Sequence, residues 1–248
     1  HQGNAQLITS PVDAADAVML VETLLGENIS CSNELLITDN IGTDSSLSRA
    51  AGTFGEGSTT NIGLDAGILL TTGSVHLAVG PNEFENTGAR NDAPGDPAID
   101  NSFDATVLQF DFVPDGNSFS FRYVFASEEY PEFACNIFND AFGFFLTGSN
   151  PNGPDYDAEN IALLPGGELV SITNVNEDTC GEDNIAFYVS NDGGTTIEYD
   201  GFTTVLIAQA DVVPCQSYTI RLVIADRIDH FYDSAVFLEE VSFTVSES

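Results

Sequence analysis

Lysine and tryptophan are absent from this 248-residue sequence, and its five cations are all arginine: Arg49, Arg90, Arg122, Arg221 and Arg227. Without lysine there is no Schiff-base chemistry, no lysine base and no phosphate-cradling P-loop. A Lys–Asn isopeptide staple is excluded on the same ground. Against the five arginines stand 39 Asp and Glu, a net charge of −34. Nucleic-acid phosphates and anionic membrane surfaces therefore meet the wrong sign of field. No apolar run reaches 18 residues, so no transmembrane helix is predicted. The three histidines are His1, His76 and His230, and no CxxC pair occurs, so zinc-ligand spacing is missing. A GxSxG nucleophile elbow is missing too. No leader is visible before His1-Gln2, and the chain reads as a processed piece of a longer secreted protein.

What remains is enough to fold. Apolar residues make up 42% of the chain and include 18 Phe, which separates it from charged, disordered sequences. So many carboxylates repel one another in a compact state. Screening salt or bound divalent cations relieve that repulsion, and both point outside the cell. Four cysteines, Cys31, Cys135, Cys180 and Cys215, in a secreted context read as two disulfides of open pairing.

A helix is predicted over about 11–25. Ser10 is placed as N-cap, Pro11 at the first helical position, Asp13 as a capping-box acid and Gly26 as the stop. Ala15, Val18, Met19 and Leu25 would share its buried face. The rest reads as β. Residues 67–72 form a short apolar strand after a Gly/Ser/Thr-rich stretch, and 80–103 is loop. Residues 105–113 and 118–126 alternate around Pro114-Asp115-Gly116-Asn117, a hairpin signal. Phe119, Phe121, Tyr123 and Phe125 share one face of the second strand, with Arg122 on the other. Phe142–Leu146 reads as a strand buried on both faces, 148–160 as loop. Further strands are expected near 161–164, 168–174, 185–189, 203–210, 217–225 and 235–245. Many short strands with one helix predict a single all-β domain, a jelly-roll-like β-sandwich with one N-terminal α-helix spanning 1–248.

Two segments concentrate chemistry. In 125–133, FASEEYPEF, an apolar strand runs into Glu128, Glu129 and Glu132. In 225–234, ADRIDHFYDS, a strand ends in Asp226 and Asp229, and Asp233 precedes the next. If the first strand continues, one of Glu128 and Glu129 faces the core and needs a cation or donors. Asp140 stands just before the 142–146 strand. Hard oxygen ligands gathered at strand ends suit Ca²⁺, which takes six to eight of them. The regularly spaced Asp92, Asp96 and Asp100 are the weaker candidate. Arg122 and Arg221, lying in strands, read as partners of buried acids. Tyr130, Phe133, Phe138, Phe231 and Tyr232 lie beside the candidate ligands, where aromatic faces can stack on sugars.

The blocks GILLTTG (67–73), LQFDFVPDGNSFSFRYVFASEEYPEF (108–133), NDAFGFFLTG (139–148), NIALLPGG (160–167), YDGFTTVL (199–206), PCQSYTIRLVIAD (214–226) and DSAVFLEEVSF (233–243) resemble the choice-of-anchor L domain family. The order and spacing hold over nearly the whole chain. The resemblance implies a domain of secreted or cell-surface proteins of Bacteroidota type, joined to other domains of a parent chain, with no catalytic assignment to transfer. It supports Glu128, Glu129, Asp140, Asp226, Asp229 and Asp233 as Ca²⁺ ligands, although RIDHFY (227–232) stands where a more glycine-rich stretch is expected. The expected function is an extracellular, non-catalytic binding or adhesion module with a glycan or surface-protein ligand. The alternatives are a structural spacer, or a glycan-active enzyme built on two facing carboxylates such as Glu128 or Glu129 with Asp233.

Overall fold

The computed structural model describes residues 6–13, 16–26, 37–40, 50–83, 86–177, 184–242 and 244–246. Two antiparallel sheets form an all-β sandwich. The larger sheet runs β1 (Ile8–Pro11), β3 (Ala51–Gly55), β4 (Gly67–Thr71), β13 (Ser234–Glu239), β6 (Ser118–Ser127), β10 (Gly201–Thr203), β9 (Tyr188–Ser190). The far half of β6 is flanked instead by β11 (Leu206–Asp211) and β14 (Thr244–Ser246). The smaller sheet runs β2 (Ile37–Asn40), β5 (Ser102–Phe112), β12 (Tyr218–Arg227), β7 (Ala141–Gly148), β8 (Tyr156–Asn160). Among the described residues no helix is long and apolar enough to cross a membrane.

Alternation along β6 sets the core. Phe119, Phe121, Tyr123 and Phe125 all point inward and are buried. They meet β7 edge-on or stacked: Phe121–Phe144 at 5.0 Å, Tyr123–Phe144 at 4.9 Å and Phe125–Phe142 at 4.8 Å. Such aromatic pairs add to plain area burial. Arg122 points the other way, to Glu239 at 2.6 Å. The outer face of the larger sheet is covered as well. Val124, Ala126 and Phe237 pack there with Val75, Ile197 and Tyr199. A sheet covered on both faces needs near-continuous apolar strands, which is why GILLT and SAVFL read as unbroken runs.

The hairpin expected around 114–117 is not one. β5 pairs with β2 and β12 in the smaller sheet, and β6 with β13 and β11 in the larger. The turn carries the chain across the sandwich, so Phe112 and Phe119 meet edge-to-face through side chains at 5.0 Å. Turn residues and alternation specify a reversal of direction. They do not specify whether the two strands then meet by backbone or by side chain.

The helix also starts later than its sequence signals. Ser10 and Pro11 belong to β1, opposite Thr53 and Gly52 of β3, an edge position where proline is tolerated. α1 spans Ala17–Leu25, with Gly26 at its end in a left-handed conformation (φ 66°). Its buried face is Ala17, Leu20, Val21, Leu24 and Leu25. Val18 and Met19 are exposed, and Ala15 lies outside the described residues. Residues 148–160 contain β8, whereas 161–164 and 168–174 meet only through the isolated Leu163–Leu169 bridge. The expected strand at 185–189 is a 3₁₀ turn leading into β9. Cys135 and Cys215 are disulfide-bonded rather than free; Cys31 and Cys180 lie outside the described residues.

Candidate functional site

Strand registers bring the acidic segments together. β6 runs out at Ser127, which lies opposite Ser234, the first residue of β13. β7 begins at Ala141, opposite Ala225 near the end of β12. The residues flanking these ends are Glu128 and Glu129, Asp140, Asp226 and Asp233. All five converge on one pole of the sandwich, and all five are buried.

Their hydrogen bonds differ. The Glu129 carboxylate accepts the Asp140 amide at 3.1 Å, and the Glu129 amide donates to Ser127 Oγ at 2.9 Å. Asp140 accepts the Arg227 amide at 3.0 Å and the Ser234 hydroxyl at 2.8 Å. Both oxygens of Asp233 accept the Ala89 amide, at 3.1 and 3.0 Å. The chain at Gly73 presses so closely on Asp233 that any Cβ there would overlap the carboxylate. Glu128 is 0% exposed, and neither of its carboxylate oxygens has a well-formed hydrogen bond; the Thr87 backbone amide acts on it without meeting that geometry. Asp226 Oδ1 is likewise unpartnered.

Burial raises the proton affinity of these groups. Loss of hydration pushes Glu128 up to about 10, reinforced by Asp200, Glu198 and Asp233, with the Thr87 amide opposing only in part. Burial raises Glu129 to about 7, where the Asp140 amide and Arg227 act against burial and Asp229 with it. Asp233 rises to about 7 through burial, opposed by the Ala89 amide. Asp140 and Asp226 lie well above the usual carboxylate range, first through burial and then, among charged neighbours, through nearby carboxylates.

Three acids without a distinctive sequence signal join this pole. Asp104, in β5 at φ 48°, meets His230 Nδ1 at 2.6 Å and leaves Oδ1 unpartnered. Asp200 accepts Asn82 at 2.7 Å, and Glu198 accepts the Thr87 hydroxyl. Asp200 sits in the YDGF block that helped carry the family resemblance, which was the one available hint. Asp229 remains at the mouth, partly exposed, with its carboxylate accepting the Phe231 amide at 3.0 Å. The Asp92, Asp96 and Asp100 series dissolves: Asp92 and Asp100 are exposed, and Asp96 forms a two-pronged pair with Arg221. Burial alone would raise Asp96, but the Arg221 bond and charge, with the Ala98 amide, hold it below its usual value. Among the described residues, no three His, Cys, Asp or Glu side chains form a preassembled metal-holding group.

The aromatic candidates divide. Tyr130 is 0% exposed, donates to the Val175 carbonyl at 2.7 Å and packs on Tyr188 at 4.9 Å. It is core and offers no face to a ligand. Phe133, Phe138 and Tyr232 form a half-buried cluster, Phe133–Phe138 at 5.7 Å and Phe133–Tyr232 at 4.9 Å. Phe231 is 60% exposed, with the Arg90 guanidinium 6.0 Å from its ring centre. An aromatic rim thus borders the acidic pole. Glu128, Glu129 and Asp233 themselves lie beneath the surface, which seats them poorly as a carboxylate pair facing a sugar from solvent.

Neither curated proteins nor solved structures give a match to the chain. The family model described as Choice-of-anchor L domain matches residues 8–244, spanning both sheets and the acidic pole, and the chain belongs to that family of surface-protein modules.

Proposed function

We propose that this chain is a non-catalytic binding module of a secreted or cell-surface protein, that Ca²⁺ neutralises its acidic pole, and that the aromatic rim takes a glycan or a surface protein. Glu128 is the observation that carries the reading. It is wholly buried, faces other carboxylates and has no well-formed hydrogen bond to either oxygen, with the Thr87 amide offsetting its burial only in part. An ionised carboxylate left this way costs several kcal/mol. Protons or a hard cation remove that cost, and outside the cell at neutral pH the cation is the better supplied. Ca²⁺ accepts irregular shells of oxygen ligands, here Glu128, Glu129, Asp140, Asp226 and Asp233 with Asp229 at the mouth. The shell is not preassembled, so ion binding must draw these carboxylates together. Phe133, Phe138, Phe231 and Tyr232 supply the apolar faces of the rim, and Tyr130 is left out. Two disulfides among the four cysteines complete the reading.

Thermal unfolding in EDTA, Ca²⁺ and Mg²⁺ at matched ionic strength tests it. A ligand that binds only the folded state at a hundredfold excess over Kd adds about 2.7 kcal/mol, a shift of a few degrees. The expected result is a saturable rise specific to Ca²⁺ that disappears in Glu128→Gln/Asp233→Asn. Equal shifts with both ions, or a calcium response that survives the double substitution, would sink the assignment and favour a plain spacer.

A further inference from the structure

The opposite half of β6 presents a different feature. There β6 is flanked by β11, whose register runs without a break from Leu206 opposite Tyr123 to Asp211 opposite Ser118. β11 is an edge strand: its described pairing is to β6 alone. The direction of its backbone groups follows from the surrounding bonds. The Phe125 amide of β6 turns towards the β10 side, bonding Thr203 Oγ1, whereas the Arg122 amide turns to Ser242 on the opposite side. Odd-numbered residues of β6 therefore face β11. Their partners Leu206, Ala208 and Ala210 face back, so Ile207, Gln209 and Asp211 turn their N–H and C=O groups outward. The Asp211 carbonyl confirms this polarity by accepting the Tyr156 hydroxyl at 2.9 Å from the neighbouring sheet. The outward groups of Ile207 and Gln209 have no partner among the described residues.

Natural edge strands are blunted by lysine, proline or a bulge. In LIAQAD none of these occurs, and Ile207 is 56% exposed. Beside this edge lies a groove of about 880 Å³ between β11 and the β8 side of the smaller sheet, floored by Phe119, Tyr156, Leu164 and Leu206. Its described lining carries Glu159 and Asp211 and no cationic side chain. The whole chain bears −34, so a second copy docking edge to edge would be repelled.

We infer that the β11 edge takes an extended segment of a partner protein in which lysine or arginine alternates with apolar residues. The segment adds a strand beyond β11 through the N–H and C=O groups of Ile207 and Gln209. Its apolar side chains enter the groove and its cations meet Glu159 and Asp211. Main-chain bonds supply affinity, and the groove supplies the preference. This site is separate from the acidic pole and does not depend on calcium.

The probe is the capped peptide Lys-Val-Lys-Val-Lys-Val-Lys, titrated by calorimetry in EDTA at physiological salt. Three controls accompany it: the same peptide with alternate backbone amides N-methylated, a Glu-Val counterpart, and the variant Gln209→Pro. Proline at 209 removes an outward N–H while leaving the ladder to β6 whole. Saturable binding is expected, weakened at least tenfold by N-methylation and by Gln209→Pro and absent for the Glu-Val peptide. N-methylation leaves the protein untouched, so it decides the matter even where the variant folds poorly. No saturable binding would overturn the inference. Binding indifferent to N-methylation would reduce it to general attraction of cations to an acidic surface. A concentration-dependent dimer that Gln209→Pro abolishes would make the edge a self-association surface and overturn it equally.

Discussion

Glu128 shows what residue-level reading reaches and where it stops. An apolar strand running into two consecutive acids implies that one of them faces inward, because side chains alternate across a strand. Both Glu128 and Glu129 are in fact buried. Alternation accounts for one; the other is covered by segments distant in sequence, including the stretch around Thr87 and Ala89. No local pattern announces that cover, and Asp104 joins the pole without any sequence signal for the same reason. A direct consequence concerns Glu128→Gln. In EDTA at pH 7 the buried acid must stay protonated at a cost set by its displacement from an unfolded value of 4.5 towards about 10. Holding the proton from 4.5 up to pH 7 costs on the order of 3 kcal/mol. A neutral amide avoids that cost, so the variant should be more stable than the parent in EDTA by about 1–3 kcal/mol and should lose most of the calcium gain. Urea unfolding in the two buffers measures both. A Glu128→Gln protein less stable than the parent in EDTA would show that the carboxylate is satisfied without metal.

At the scale of elements, the strands that pack on both faces were the most legible. Residues 67–71, the alternation of β6 and the apolar β7 all stand where their patterns place them. β1, β2 and β3 escaped because they are short, and in β3 Gly52 and Gly55 leave little alternation to see. The β5–β6 connection escaped for a different reason, since sheet membership is decided by which partner covers each strand. The helix is instructive because its best start signals are real but serve another purpose. Ser10 and Pro11 close a strand edge, and the helix enters six residues after Pro11 with a phase that exposes Val18 and Met19. Leu20→Ala should therefore cost about 2–5 kcal/mol, the usual loss for a buried leucine. Met19→Ala should stay within about 0.5 kcal/mol, as for exposed positions. Chemical denaturation of both variants checks the phase; a costly Met19→Ala with a tolerated Leu20→Ala would restore the earlier helix start.

For the whole molecule, charge is the governing quantity. Family membership makes this a module of a surface or secreted protein, and a chain at −34 must manage its own repulsion in that setting. Arg221 answers one acid, Asp96, and Arg122 answers Glu239; at the acidic pole His230 meets Asp104 and Arg227 acts on Glu129, which leaves Glu128 and Asp233 with no cationic partner among the described residues. Its pH dependence follows. In the unfolded chain the Glu and Asp carboxyls lose protons near 4.5 and 3.8, whereas in the calcium-free fold Glu129 and Asp233 hold theirs to about 7 and Glu128 to about 10. A folded state that binds protons more tightly is favoured at low pH. Its advantage is complete below the unfolded values and shrinks as pH rises, by about 1.4 kcal/mol per pH unit for each such group. Glu129 and Asp233 exhaust their share near pH 7, and Glu128 continues to lose stability up to about 10. In EDTA, denaturant midpoints should therefore fall steeply from pH 5 to 7 and more gently from 7 to 9. Saturating Ca²⁺ should flatten the fall, because the ion stabilises the deprotonated carboxylates that burial disfavours. Midpoints that climb between pH 5 and 7 in EDTA would mean that these acids are ionised and satisfied within the fold, leaving calcium nothing to neutralise.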